Sequence, residues 1–371
     1  LAFQTTGRGA VSSLMRALLF LLSLMWDLWS THCNPTFLCP TNCICHLELH
    51  LATCAGANLT DLPAALPPYM EHLNFSFNKL AYIHRQTFRS MRHLRTLLLN
   101  DNRIGGVADG AFAPLEALLR LDLSRNNISR LAGGFSLGLG SLRELSLADN
   151  RLSGVDAGCF AHLDALLRLD LRGNGIRSLA ARTFGAVSTL RYIRLDRNVI
   201  SSLADGIFST LRNLEQLGLR GNEIEHLDAG VFAPLTSLAV LDLADNKLKK
   251  VDFKALLSVQ AQSTHVLLEG NPWTCNCDLQ RVFQKLHSVR RLLLDDYDDL
   301  TCRQPQELQG HSLRQVDTGL CFAETVTVLI ITITVVITVV AAIVMAEKSR
   351  EKRNKGRHWT EVSEMSFDSQ D

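Results

Sequence analysis

Ten cysteines, twelve histidines, one G-x-S-x-G and one acidic run around a tyrosine are the features of this 371-residue chain that could do chemistry. Cys39, Cys43, Cys45 and Cys54 follow a C-x3-C-x-C-x8-C spacing, and Cys275, Cys277, Cys302 and Cys321 form a second group of four. Each group can pair in three ways. Cys43-x-Cys45 and Cys275-x-Cys277 could instead ligate zinc. An oxidising compartment selects disulfides, so no metal and no cofactor is expected. Cys33 and Cys159 are left over. Cys159 is expected to be a partly buried inert thiol, with an intermolecular disulfide as the alternative. Gly134-Phe135-Ser136-Leu137-Gly138 matches the nucleophile elbow of hydrolases, but that elbow needs a strand before it and a helix after it. Ser136 has neither, and no His or Asp partner is evident, so no catalysis is expected. The histidines show no H-E-x-x-H spacing. Asp295-Asp296-Tyr297-Asp298-Asp299 reads as a solvated acidic loop. The sharper readings are sulfation of Tyr297 or capture of a basic partner.

The elements that position these residues follow from a repeat. Asn78, Asn102, Asn126, Asn150, Asn174, Asn198, Asn222 and Asn246 stand 24 residues apart. Five places before each Asn comes Leu73, Leu97, Leu121, Leu145, Leu169, Ile193, Leu217 or Leu241, and three before it Phe75 or a leucine. Two places after it the residue is Leu or Ile. Ten places after it stands Phe88, Phe112, Ser136, Phe160, Phe184, Phe208, Phe232 or Leu256. Ser136 breaks the Phe column with Phe135 one place early, which predicts a local adjustment in that turn. L-x-L is a short strand with its leucines on one side. A 24-residue coil cannot bury that side alone, so the coils must stack into a parallel sheet with one continuous core. The Asn amide sits where the chain leaves the strand and can satisfy backbone groups of neighbouring coils.

This pattern resembles the 24-residue extracellular class of leucine-rich repeats. The resemblance implies an α/β-type solenoid with a curved parallel sheet on its concave face. It also implies cysteine-rich caps, introduced on the C-terminal side by Asn271-Pro272-Trp273, with disulfides Cys39–Cys45, Cys43–Cys54, Cys275–Cys302 and Cys277–Cys321.

The ends define the compartment. Met15-Arg16 and the apolar run to Trp26 read as a secretory signal peptide, placed at 15–32 after an uncertain leader at 1–14. The N-terminal cap is placed at 33–62, the repeats at 63–264 and the C-terminal cap at 265–321. Thr325 to Ala346 is 22 residues without a charge. At 1.5 Å per residue it spans about 30 Å of hydrocarbon. Lys348, Arg350, Lys352, Arg353, Lys355 and Arg357 follow, which puts the 347–371 tail in the cytoplasm. The expectation is a single-pass type I protein of the plasma membrane. Asn58-Leu59-Thr60, Asn74-Phe75-Ser76 and Asn127-Ile128-Ser129 are glycosylation acceptors.

The formal net charge of +1 gives no global basic field, so no nucleic-acid partner is expected. The side chains between and beside the strand leucines face the concave side. Their mixed charges run in columns and can pair laterally. A protein-binding patch is expected at Arg168, Arg172, Tyr192, Arg194 and Arg220, because Tyr and Arg most often anchor interfaces. The function expected is non-catalytic binding of another protein through the concave face or the C-terminal cap, in adhesion or a receptor complex. The alternative is an auxiliary subunit in the same membrane. For that reading, the layout resembles the leucine-rich auxiliary subunits of large-conductance potassium channels, with more repeats.

Overall fold

The structure is a computed structural model that describes residues 39–365 except 65, 252 and 317. For 318–325 and 354–365 it describes the backbone alone. The expected leader, the signal peptide, Cys33 and the side chain of Cys321 lie outside the described residues.

Strands of three or four residues form one curved sheet of twelve strands. The order follows the chain, from an antiparallel edge strand Ile44–His46 through parallel neighbours to Leu292–Leu294. Register is set by the repeat itself. Leu121, Leu145, Leu169, Ile193, Leu217 and Leu241 stand opposite one another across adjacent strands. Their side chains are buried with those of the following leucine column. The opposite side, where the chain returns through tight turns, is filled by phenylalanines. Phe88 stacks on Phe112 at 5.8 Å, and Phe160, Phe184 and Phe208 stack nearly parallel at 6.4 and 6.2 Å.

The third coil carries the local adjustment. Phe135 takes the place of the missing column member and meets Phe112 edge-on at 5.7 Å. Gly138, at φ +83°, lets the chain pass so close to Ala113 that a Cβ would collide with the Ala113 backbone.

The Asn column is a ladder of buried amides. Asn198 Nδ2 donates to the carbonyls of Leu171, Leu195 and Asp196 at 3.0, 2.9 and 3.4 Å. Its Oδ1 accepts the Ile176 N–H at 3.1 Å. Each rung thus ties its own strand end to the coil before it. The ladder continues to Asn271, which donates to Leu243 and Leu268 and accepts from Leu248 N. This rung, like strand Thr264–Leu267, crosses the boundary set between repeats and cap at 264/265. The sheet pairs into the C-terminal cap without a break.

The N-terminal cap is tied by Cys39–Cys45 and Cys43–Cys54, and the C-terminal cap by Cys275–Cys302. Cys277 is also disulfide-bonded. Helix α1 (Phe253–Leu257) and helix α2 (Cys277–Ser288) lie in the last coil and the cap. Asn276 caps α2 by accepting the Leu279 N–H at 2.8 Å. The amphipathic α2 buries Phe283 against Trp273 at 5.5 Å, closing the apolar end of the stack.

A single helix, α3, runs Thr318–Met365. Its stretch Val326–Arg353 is long and apolar enough to cross a membrane. The connection from the cap to the apolar stretch, Phe322 to Glu324, is helical, since α3 begins four residues before it. Thr332, Thr334 and Thr338 donate to carbonyls three residues back at 2.8 Å, so these hydroxyls need no outside partner in lipid.

Candidate protein-binding face

Each strand sets two side chains on the concave face, and these form two rows that run from coil to coil. Arg120, Glu144, Arg168, Tyr192 and Gln216 stand in register in the first row, and Asp122, Ser146, Asp170, Arg194, Gly218 and Asp242 in the second. They line an open trough of about 930 Å3.

The five residues singled out from the sequence share this trough, but four of them are engaged within it. Glu144 lies 3.7 Å from both Arg120 and Arg168. The Arg168 guanidinium stands 4.4 Å above the Tyr192 ring. The Tyr192 hydroxyl donates to Glu215 at 2.9 Å, and Arg191 donates to the other oxygen of that carboxylate at 2.8 Å. Arg172 lies 3.4 Å from Asp170, and Arg220 lies 2.7 Å from Asp245. Arg194 differs. It is exposed and, among the described residues, makes no ion pair and no side-chain hydrogen bond. The glycine beside it in register, Gly218, leaves room around it.

Gly218 also shapes the acidic part of the face. Asp122, Asp170 and Asp242 each accept the N–H two residues on, at 2.9, 3.1 and 3.0 Å, closing the turn out of the strand. Gly218 cannot do this for Arg220. Asp196 from the previous coil lies across Gly218 and accepts the Arg220 N–H at 3.0 Å. A Cβ at 218 would stand 2.7 Å from the Asp196 carboxylate. The sequence gives no sign of this substitution of one coil's carboxylate for another's.

Burial pushes the Asp196 carboxyl above the ordinary range. Burial does the same to Asp242, and the Asp196 charge adds to it. A carboxyl with a higher pKa in the fold favours the folded state while protonated, and that advantage is lost as pH rises above the ordinary aspartate value. Asp242→Asn keeps an oxygen for the Ala244 N–H, as Asn74 does for Ser76 at 3.0 Å. It should therefore raise the melting temperature at pH 7, with the gain vanishing toward pH 3. Thermal melts of the two proteins across that range check this; equal melting temperatures at pH 7 would contradict it.

The face separates binding from packing residues. Leu195→Ala, in the sealed core, should cost about 2–5 kcal/mol. Arg194→Ala should stay within about 0.5 kcal/mol. Denaturation midpoints showing equal losses would overturn the strand register.

The other candidate residues lie elsewhere. Ser136 is buried in the convex layer. It does have a histidine near, with His162 Nδ1 at 3.3 Å from its Oγ, a partner the sequence did not reveal. Sealed from solvent, that hydroxyl serves the packing between coils. Cys159 is a buried free thiol whose pKa burial raises.

In the acidic run Asp295, Asp298 and Asp299 are exposed, as expected of a solvated loop, while Asp296 is built into the cap. Asp296 is buried, and one oxygen accepts the N–H groups of Leu268 and Glu269, both at 2.6 Å. Asp295 pairs with His265 at 2.9 Å and Asp298 with Arg314 at 2.7 Å. Tyr297 is half-buried, its ring 6.0 Å from Phe283 and 5.6 Å from His287. Asn58 and Asn127 are exposed, while Asn74 is half-buried.

The coil geometry agrees with comparisons to known proteins. The family model described as leucine rich repeat matches residues 92–152, 140–200 and 188–248. The chain carries leucine-rich repeats between two cysteine-rich caps. This repeat protein is 32% identical over 107 residues to chondroadherin-like protein of Mus musculus, covering 29% of this chain and 14% of that one. It is 37% identical over 93 residues to leucine-rich repeat-containing protein 3B of Homo sapiens, covering 24% and 36%. The chain thus spans 14% to 36% of these two relatives' lengths. The crystal structure of human trophoblast glycoprotein superposes with a TM-score of 0.59 at 26% identity, covering 77% of this chain and 99% of that one.

Proposed function

We propose that this leucine-rich repeat protein is a non-catalytic cell-surface recognition protein that binds another protein through its concave face. The supporting observation is Arg194, an exposed guanidinium without an ion pair, in a trough whose other arginines are neutralised in place. A partner carboxylate there gains a charge-assisted bond without breaking an existing pair. Arg168 stacked on Tyr192 supplies a rigid aromatic anchor beside it. The basic residues after the span favour an outside solenoid and a cytoplasmic tail at the plasma membrane. On the same reading Asn58, Asn74 and Asn127 are the glycan acceptors and Tyr297 is a candidate for sulfation; intact-mass analysis of the purified protein reads both directly.

The continuous helix favours a second reading, an auxiliary subunit of a channel or receptor in the same membrane. The backbone passes from the cap region into α3 at Thr318, eight residues before the apolar stretch at Val326. The solenoid is thereby held near the bilayer, where lateral partners are closest. Inserting a flexible linker of about 20 residues after Glu324 separates the readings, since it adds roughly 25 Å of reach. Weakened association within one membrane supports the auxiliary reading. Unchanged lateral association with stronger binding to opposing cells supports adhesion.

A further inference from the structure

The concave face neutralises most of its own charge, whereas one flank of the solenoid does not. Just past each Asn the chain runs along a side of the stack. There the first, third and fourth residues after each Asn point largely to solvent. Backbone hydrogen bonds hold this segment in register from coil to coil. Arg103 N donates to Leu80, Asn127 N to Ile104, Arg151 N to Ile128 and Gly175 N to Leu152, at 2.9–3.0 Å. Side chains at these positions therefore form rows about 4.8 Å apart per coil.

In the first five coils these rows hold Lys79, Arg103, Arg130, Arg151 and Arg177, all exposed, and no carboxylate. None of the five makes an ion pair among the described residues. In the chain Asp101 and Asp149 precede Arg103 and Arg151 by two residues, and Asp101 is paired with Arg125 at 2.7 Å. In the following turn, Asp109 is occupied in accepting the Gly134 N–H at 2.9 Å. Between the basic residues stand mostly small ones, Gly105, Gly106, Ser129, Ser153, Gly154 and Ser178. The larger members are Tyr82 at the first coil and Asn127 between Arg103 and Arg151, so the row is open along its length in chains whose Asn127 carries no glycan. The sixth coil is neutral here, and the seventh reverses sign with Glu223 and Glu225. The eighth is basic again with exposed Lys247, Lys249 and Lys250, of which Lys247 donates to Glu223 at 2.8 Å. Among the described residues of this flank, the five-coil stretch is the longest run of unpaired cations.

We propose that this flank binds a linear sulfated polysaccharide laid along the solenoid axis. Five cations over about 20 Å match a partner that carries its charge in a line. Protein interfaces centre on an aromatic or apolar cluster. This flank has one large exposed apolar residue, Tyr82, at its first coil, so an extended polyanion fits better than an acidic protein surface. The biological setting rests on the outward orientation proposed above. Binding in detergent does not depend on orientation, which impermeant surface labelling reads separately.

The test uses the full chain in detergent micelles on an Asn127→Gln background, because Asn127 shares the row with Arg103 and Arg151. Immobilised heparin is the probe. Arg103→Gln, Arg130→Gln and Arg151→Gln together should weaken binding at least tenfold. A dense linear polyanion releases counterions when neutralised, so the salt slope of log affinity should fall by about three. The control, Arg212→Gln with Arg290→Gln and Arg303→Gln, removes the same charge from other surfaces and should change affinity less than twofold. Equal losses in both variants, or no loss in the first, would overturn the proposal. So would poly-glutamate binding as tightly as heparin at matched charge, which would indicate an acidic protein segment instead.

Discussion

Asn198→Ala should destabilise the solenoid by roughly 3–6 kcal/mol, more than removing any exposed polar side chain. The amide satisfies the Leu171 and Leu195 carbonyls and the Ile176 N–H, all in the buried layer between coils. Alanine fills none of these, and each orphaned buried group costs about 1–3 kcal/mol. The loss falls at the junction of two coils, and a stack held together by nearest-neighbour contacts is weakened there on both sides. Asn213 is the comparison. It is exposed and makes one bond, to the Ser188 carbonyl at 3.3 Å. Asn213→Ala should shift the denaturation midpoint little. Similar midpoints for the two variants would show that the ladder is not a main source of cohesion.

On the proposed cell-surface reading, Cys302→Ser should sharply lower the amount of protein at the cell surface. The Cys275–Cys302 bond closes a span of 27 residues, for which loop-closure entropy gives a contribution of about 3–4 kcal/mol. It also pins strand Cys302–Gln304 beside Trp273–Thr274, next to the fully buried Trp273. Without it the cap can open and expose the apolar end of the last coil, and such chains are held in the secretory pathway. Surface biotinylation should show a large loss for Cys302→Ser and none for Cys159→Ser, since Cys159 is unbonded and buried. Normal surface levels for Cys302→Ser would contradict the role given to the cap.

The coil core and the concave rows were legible because both depend on fixed spacing. A 24-residue period places every leucine and every Asn without knowledge of the partner coil. What the spacing could not show is where that period changes. Asn271 follows Asn246 by 25 residues, and Asp296 follows Asn271 by 25 again. Asp296 is a carboxylate within an acidic run, so it read as solvated. In the fold it ends the sheet by accepting two N–H groups, for which a carboxylate needs no donor of its own.

Charge pairing was legible only as a possibility. That Glu144 would serve Arg120 and Arg168, and Glu215 serve Arg191 and Tyr192, depends on side-chain reach between coils. The same pairing leaves Arg194 as the guanidinium of the trough without an ion pair among the described residues. The His162 contact with Ser136 was hidden because the two residues lie 26 apart and meet only once the coils stack.

The account stands or falls on the concave face as the place where a protein partner binds. A photo-cross-linking residue at Gln216, in register with Tyr192 on that face, tests it in living cells. The comparison site is Thr236, on the convex side. The account predicts a discrete cross-linked protein from Gln216 and none from Thr236, with the Gln216 product abolished by Arg194→Glu at unchanged surface level. Equal cross-linking from both sites, or a Gln216 product that survives Arg194→Glu, would contradict it.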